Sequence, residues 1–207
     1  MEKLFLIIGA PGSGKTTDAE LIAQKHEDIT HYSAGDMFRS EVKSGSDLGK
    51  TLDKYMSAGN LVPIEIAIKT IISAIKKAPT SVVVIDGYPR SKEQMEELDK
   101  YLFLETEVEL KNVIEVEVSE EVARDRVLGR ARGVDDNVEV FNNWMKVYIE
   151  PLADIQDFYI HKNLLKKING ERSIEEIVKQ MDEFIQSKIW IRIANFYFLS
   201  ALLESED

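Results

Sequence analysis

Apolar runs alternate along the chain with segments whose apolar residues recur at helical spacing. Short apolar runs predict buried strands, and apolar residues three or four positions apart predict helices with one buried face. Strands are predicted at 4–9, around 31–33, and at 81–86, 112–118 and 164–168. Helices are predicted to begin at Lys15, Asp36, Leu48, Pro63, Ser91, Ser119, Asn137 and Ser173, with the helix from Asn137 continuing to Ile160. This alternation is typical of an α/β fold in which helices cover a parallel sheet.

A glycine-rich loop joins the first predicted strand to the first predicted helix. It reads Gly9-Ala10-Pro11-Gly12-Ser13-Gly14-Lys15-Thr16 and fits the P-loop pattern G-x-x-x-x-G-K-[ST]. The glycines allow consecutive amides to point inward at an anion, and the following helix adds the positive end of its dipole. Lys15 supplies a charge for terminal phosphates, and Thr16 supplies a hydroxyl for a magnesium ion. The strand and helix on either side favour this interpretation over an ordinary glycine turn, so the chain is predicted to bind a nucleoside triphosphate.

Composition narrows the possible functions. The 207 residues suffice for one α/β domain, and the lack of cysteine excludes disulfides, thiolate catalysis and Cys-based zinc sites. The three histidines show no metal-ligand spacing and are interpreted as surface or satisfied residues. A net charge of −11 argues against nonspecific nucleic-acid binding, although arginines can still line one cleft. The chain enters its first strand almost at once, so no signal peptide is expected and the cytoplasm is the expected compartment.

An acid ends the third predicted strand, which reads Val82-Val83-Val84-Ile85-Asp86. The carboxyl ends of parallel strands meet at one edge of the sheet, so Asp86 is expected beside the P-loop. There it is a candidate to hold a water of a magnesium shell, and a capping aspartate is the alternative. Arg90 follows closely, and its planar fork suits a second phosphate.

Five of the eight arginines form a candidate set for phosphate binding. They are Arg39, Arg90, Arg126, Arg130 and Arg132. Arg126 and Arg130 share a helix face, which taken alone is typical of a solvated surface. An enzyme accelerates phosphoryl transfer mostly by positioning the substrates and stabilising charge. Such an enzyme therefore needs cationic side chains and no nucleophilic side chain.

Five motifs in this order resemble the nucleoside monophosphate kinase family, and within it the short-lid adenylate kinases. The resemblance runs from about residue 4 to residue 185. The motifs are the P-loop, Ser33-Ala34-Gly35-Asp36-Met37-Phe38-Arg39, Gly59-Asn60-Leu61-Val62-Pro63, Asp86-Gly87-Tyr88-Pro89-Arg90 with Gln94, and Asp125-Arg126-Val127-Leu128-Gly129-Arg130. Together they are far more specific than any one of them.

The resemblance implies a P-loop three-layer fold, with a five-stranded parallel sheet flanked by helices. Residues 1–188 would form a single kinase domain. Within it, 33–77 would be a helical monophosphate-binding insertion and 131–137 a short lid. Residues 189–207 would be an apolar C-terminal extension beyond the usual end of the family.

The resemblance also implies the reaction, which is transfer of the γ-phosphoryl of ATP to AMP with Mg²⁺ under a closing lid. The implied catalytic residues are Lys15, Arg90, Arg130 and Arg132. ATP would contact Gly12, Ser13, Gly14, Lys15, Thr16, Thr17, Arg126 and Arg130, with Arg126 against the adenine. AMP would contact Ala34, Arg39, Leu61, Val62, Gly87, Arg90 and Gln94, with Gln94 at the edge of the base. Magnesium would be held by Thr16 and, through water, by Asp86.

Three positions depart from the family pattern. Adenylate kinases usually have threonine at Ala34, where UMP/CMP kinases typically have alanine; the lost hydrogen bond is worth about 0.5–1.5 kcal/mol. Short-lid relatives place an arginine at the position aligned with Trp144, and Lys146 faces elsewhere on that helix. One residue more than usual separates Arg132 from the acids that follow it. A UMP/CMP kinase and a nucleotide-binding module with weakened catalysis therefore stay open as alternatives.

The segment 189–203 is apolar nearly all round. Its fifteen residues are few for a membrane span, which needs about 20. Packing on the core or self-association is favoured over contact with a membrane surface. The chain is otherwise expected to be a monomer.

Overall fold

A five-stranded parallel sheet forms the centre of the computed structural model, which describes residues 1–129 and 137–203, with side chains described through residue 189. The strands are β1 (Glu2–Gly9), β2 (Ile29–Ser33), β3 (Val82–Asp86), β4 (Val108–Glu117) and β5 (Leu165–Asn169). Their order across the sheet is β2-β3-β1-β4-β5, and all neighbours are parallel. The predicted parallel α/β fold is confirmed.

Helices cover both faces of this sheet. They are α1 (Lys15–Lys25), α2 (Ala34–Lys43), α3 (Asp47–Met56), α4 (Ile64–Lys77), α5 (Lys92–Leu104), α6 (Glu120–Gly129), α7 (Val138–Ile149), α8 (Leu152–His161) and α9 (Ile174–Leu203). Six of them begin after a side chain that accepts a hydrogen bond from an amide of the first turn. These caps are Ser33, Ser46, Ser91, Ser119, Asn137 and Ser173. Three helices, α2 to α4, lie within the predicted insertion at 33–77.

Two expectations about element bounds were wrong. The single helix predicted from Asn137 to Ile160 is two helices, because Pro151 lacks the N–H that a continuous helix needs there and instead precedes α8. Strand β4 begins at Val108, four residues before the predicted start. In its first half, apolar residues alternate with the charged Glu109 and Lys111, and most of these residues are only partly buried. This part of the strand therefore does not form the continuous apolar run on which the prediction depended.

The core lies in two layers because successive strand residues point to opposite faces of the sheet. Leu4, Leu6 and Ile8 of β1 belong to one buried cluster, and Phe5 and Ile7 belong to the other. The first cluster packs against α2, α4, α5 and α8, and the second packs against α1 and α9. The sheet is thus covered on both faces, as its apolar strands require.

Helix α9 runs for 30 residues and continues past residue 188 without a break. Ile177, Met181 and Ile185, spaced by four, are buried against the sheet. No helix within the described residues is long and apolar enough to cross a membrane.

Candidate active site

The glycine-rich loop between β1 and α1 has backbone conformations that favour glycine. Gly12 and Gly14 have φ angles of 81° and 95°, in the left-handed region. A Cβ atom on Gly12 would lie 2.4 Å from the carbonyl oxygen of Ala123 in α6, so a larger residue does not fit. Lys15 Nζ donates to the Ala10 carbonyl at 3.1 Å, which folds its side chain back over the loop. The loop therefore has the shape and the charge of an anion cradle.

Asp86, the last residue of β3, is hydrogen bonded at both carboxylate oxygens. Thr16 Oγ1 donates to Oδ1 at 2.8 Å, and His31 Nε2 donates to Oδ2 at 2.7 Å. Burial alone would raise the pKa of this carboxyl. The hydrogen bond from His31 and the charge of Lys15 outweigh burial and hold the pKa below its ordinary value. Asp86 is therefore ionised at neutral pH.

Sequence reasoning missed the contact between His31 and Asp86, which are 55 positions apart. In the sheet, His31 is paired with Val84, two residues before Asp86 and on the same side of the strand. The only available signal was the adjacency of the two predicted strands. The contact makes His31 a positioning residue for the carboxylate.

Thr16 and Asp86, the residues predicted for magnesium, contact each other directly. Hydroxyl and carboxylate oxygens suit Mg²⁺, which usually keeps waters and binds together with substrate phosphates. Among residues 1–129 and 137–189, no group of three or more His, Cys, Asp or Glu side chains could hold a metal ion unaided. The residues present therefore fit an ion that shares its ligands with a bound triphosphate.

Two predicted phosphate-binding arginines line the same cleft as Lys15, Thr16 and Asp86. Arg39 of α2 forms an ion pair with Asp36, with Nη2 2.6 Å from Oδ1. Arg90 Nε donates to the carbonyl oxygen of Gly87 at 2.7 Å. The fold thus brings residues from both predicted nucleotide sites to one opening.

A second pocket lies on the other side of the P-loop, beside α6 and α9. It is lined by Gly12, Ser13, Gly14, Lys15, Thr16 and Thr17 together with Arg126. Arg126 Nη1 donates to the carbonyl of Gly170 at 2.9 Å and to that of Ser13 at 3.4 Å, which fixes the guanidinium between the loop and β5. Arg172, which was not predicted, lines this pocket as well. We call this second pocket the donor pocket.

A third pocket lies between the insertion and the segment after β3. It is lined by the predicted residues Arg39, Leu61, Val62, Gly87, Arg90 and Gln94. Ala34 was predicted for the same site, but it is 1% exposed and packs in the first core cluster with Phe38. We call this the acceptor pocket. Arg130, Arg132 and the predicted lid lie outside the described residues, except Asn137, which caps α7.

Trp144 of α7 lines both the central cleft and the acceptor pocket. Its Cδ1 atom would be 3.1 Å from a Cβ atom placed on Gly59, so the indole packs closely on the insertion. The neighbouring Asn143 Nδ2 donates to the carbonyl of Ala58 at 2.7 Å and to Asn60 Oδ1 at 3.1 Å. A neutral aromatic side chain therefore faces the cleft where the resemblance implies a cation.

Asp18 is a second residue that sequence reasoning missed. It is 2% exposed, and its Oδ2 has no hydrogen-bond partner among the described residues. Burial raises the pKa of its carboxyl to about 7, against the opposing charges of Arg126 and Lys15. Its position four residues before the buried Ile22 was the available signal, because that spacing places both side chains on the buried face of α1.

The comparisons with known proteins agree with this geometry. Residues 7–164 match the family model described as adenylate kinase. The adenylate kinase of Wolinella succinogenes is 66% identical over 190 residues, which cover 91% of this chain and 100% of that protein. That of Nautilia profundicola is 66% identical over 192 residues, covering 92% and 100%. That of Helicobacter hepaticus is 64% identical over 190 residues, covering 91% and 100%.

The buried carboxyl of Asp18 leads to a prediction about stability and pH. Between the ordinary pKa of 3.8 and the folded-state pKa of about 7, the unfolded chain has released this proton while the folded chain keeps it. The stability of the wild type therefore falls as pH rises through this interval. Because asparagine does not titrate, we expect the free energy of unfolding of Asp18→Asn, relative to wild type, to increase from about pH 4.5 to about pH 8.5.

Urea unfolding at the two pH values measures this difference. Asp28→Asn, at an exposed position after the same helix, is the matched control and should show little change. An Asp18→Asn effect that is equal at both pH values would contradict the prediction.

Proposed function

The chain belongs to the adenylate kinase family, and on this premise we propose that it transfers the γ-phosphoryl group of ATP to AMP, giving two ADP. The bond from the γ-phosphorus to the bridging oxygen of ADP breaks, and a bond from that phosphorus to a phosphate oxygen of AMP forms. The observation that carries this proposal is the central cleft. It joins Lys15, Thr16 and Asp86 on one side to Arg39 and Arg90 on the other.

ATP would bind with its phosphates in the glycine-rich loop, where backbone amides and the Lys15 ammonium face the negative charge. The base would lie in the donor pocket against Arg126, which its bonds to Ser13 and Gly170 hold in place. Thr16 and, through water, Asp86 would hold Mg²⁺. When bound, the ion neutralises charge on the β- and γ-phosphates.

AMP would bind with its phosphate between Arg39 and Arg90, and with its base in the acceptor pocket. Arginine forks can each bond two phosphate oxygens, which fixes the direction of the attacking oxygen. The ion pair with Asp36 and the bond to Gly87 orient the two guanidinium groups before the substrate arrives. Water must be kept out so that ATP is not hydrolysed, and we assign this role to the segment 131–137.

The transferring phosphoryl group carries negative charge on three oxygens, and nearby cations stabilise it. Lys15 and Arg90 line the cleft where this charge develops. Arg130 and Arg132 are assigned to the same task on the resemblance alone. Trp144 is neutral with a single N–H donor, so it cannot replace a guanidinium. We therefore propose a turnover below that of relatives with arginine at this position.

Measuring ADP formation from ATP and Mg²⁺ tests the function. The acceptors are AMP, dAMP, UMP and CMP, each against a reaction without acceptor. We expect the highest kcat/KM with AMP, because Gln94 lies in the acceptor pocket and the relatives do not favour a UMP/CMP kinase. A higher kcat/KM with UMP or CMP would instead indicate that Ala34 determines which base the enzyme accepts. ATP binding without transfer to any acceptor would support a nucleotide-binding module.

The Trp144 position gives a prediction about rate. Because an added guanidinium would face the transferring phosphoryl group, we expect Trp144→Arg to raise kcat by about tenfold or more. Trp144→Phe, which keeps an aromatic ring but adds no charge, is the matched control and should not raise it. Equal kcat values for the wild type and Trp144→Arg would contradict the proposal that Trp144 lowers the turnover.

We propose that the kinase domain is monomeric, that it acts in the cytoplasm on ATP and AMP, and that it has no nucleic-acid partner. The lack of cysteine is consistent with a reducing compartment. The net charge of −11 disfavours binding to the phosphate backbone of a nucleic acid. Any self-association is assigned to the segment 189–207.

Truncation after Lys188 tests this assignment. We expect residues 1–188 to have the mass of a monomer by light scattering and to keep kinase activity. Among the side chains that the structure describes, the buried contacts of α9 with the sheet precede the cut, apart from Ile189. If the full chain is a dimer and residues 1–188 are a monomer, the tail is responsible for association. If both forms have the mass of a monomer, association is ruled out. A dimer in both forms would contradict the proposal.

A further inference from the structure

Helix α3 ends in a tight turn at Gly59, whose φ of 71° lies in the left-handed region. The N–H of Gly59 donates to the Met56 carbonyl at 3.0 Å, and that of Asn60 donates to the Tyr55 carbonyl at 2.8 Å. This pair of hydrogen bonds is the Schellman pattern, in which a left-handed glycine closes the end of a helix. The turn satisfies carbonyls of α3, while the carbonyl of Ala58 accepts from another helix.

Asn143 of α7 is the residue that bonds this turn. Its Nδ2 donates to the Ala58 carbonyl at 2.7 Å and to Asn60 Oδ1 at 3.1 Å. A carbonyl oxygen can only accept, so the atom that faces Ala58 must be the amide nitrogen. The orientation of the Asn143 side chain is therefore fixed, and its donors are directed at a segment more than 80 positions earlier in the chain.

The turn also packs against α7 with no space left for a side chain at Gly59. A Cβ atom on Gly59 would be 3.1 Å from Trp144 Cδ1 and 3.2 Å from the Val140 carbonyl oxygen. It would lie 3.3 Å from Asn143 Nδ2 as well. Close packing and directed hydrogen bonds thus act at the same point, which fixes the direction in which the chain leaves the turn.

The chain that leaves this turn forms one wall of the acceptor pocket. Asn60, Leu61 and Val62 line the pocket, and the first two of them also line the central cleft. Among the described residues, the lining of the donor pocket comes from the P-loop, α1, α6 and the chain around the start of α9, and not from the insertion or α7. The contact between α7 and the turn therefore acts on the acceptor side of the cleft.

We propose that Asn143 is a positioning residue for AMP, because it holds the wall formed by 60–62 in the place where that wall contacts the monophosphate. This inference rests on the proposed function, since the acceptor pocket is taken to hold AMP. Asn143 lies behind the wall rather than in the lining of the acceptor pocket, so it acts through the wall. A wall that is held before AMP arrives does not have to be ordered by AMP, and the apparent affinity for AMP is higher for that reason.

The substitution Asn143→Asp tests the proposal because it replaces a donor by an acceptor of the same size. A carboxylate oxygen would then face the Ala58 carbonyl and the side-chain oxygen of Asn60, and the repulsion would displace the wall. We expect KM and Kd for AMP to rise about fivefold or more, and both constants for ATP to stay within about twofold of wild type. Asn143→Ala, which removes the bonds without adding repulsion, should raise the AMP constants by a smaller factor.

Asn142→Asp is the matched control, because it adds the same charge at the neighbouring, exposed position of α7. It should leave the constants for AMP and ATP unchanged. An equal rise in KM for AMP in Asn142→Asp and Asn143→Asp would attribute the effect to charge and overturn the proposal. An unchanged affinity for AMP in Asn143→Asp would overturn it, and so would an equal loss of affinity for ATP, which would indicate a general structural role.

Dissociation constants from calorimetry, measured alongside kcat and KM, separate a failure of this inference from a failure of the proposed function. If the wild type binds AMP but transfers no phosphoryl group to it, the proposed function is wrong, and the Kd values of the variants still test the role of Asn143. If the wild type phosphorylates AMP and Asn143→Asp binds AMP equally well, the inference alone is wrong. If the wild type does not bind AMP, both are wrong.

Discussion

The parallel pairing of β1 with β3 is the constraint on which the rest of this site depends. Ile7 is in register with Asp86, and the N–H of Gly87 donates to the Ile7 carbonyl at 2.9 Å. This register places the last residue of β3 beside the loop that follows β1, so Thr16 can reach Asp86. A shift by one residue would turn the Asp86 side chain to the other face of the sheet and break this contact.

Arg90 shows how one residue can organise both the charge and the hydrogen bonding of a cleft. Arg90 lines both the central cleft and the acceptor pocket, while its backbone N–H and its Nε donate to oxygens of Gln94 and Gly87. The residue thereby links the wall of the cleft to the first turn of α5. If AMP binds as proposed, a change at Arg90 would affect the phosphate and the base together.

Helix α7 couples the far side of the cleft to the insertion. Asn143 bonds the chain at Ala58, and Trp144 packs at Gly59, so both side chains contact the same short segment. These contacts hold α7 against the insertion, and the indole of Trp144 contributes packing there. An arginine at this position, which the resemblance implies, would add positive charge to the central cleft.

The P-loop, the parallel α/β class and the candidate arginines at 39, 90 and 126 were recognisable in the sequence, because each pattern lies in short stretches of the chain. The break at Pro151 and the early start of β4 were missed, since local pattern is weakest where polar residues interrupt an element. The packing of distant elements brings His31 to Asp86, buries Asp18 and places the side-chain oxygen of Gln94 against the N–H of Arg90. Burial depends on every element packed around a group, and the His31 contact spans 55 positions of sequence. The orientation of Gln94 depends on a backbone N–H, which no side-chain pattern records.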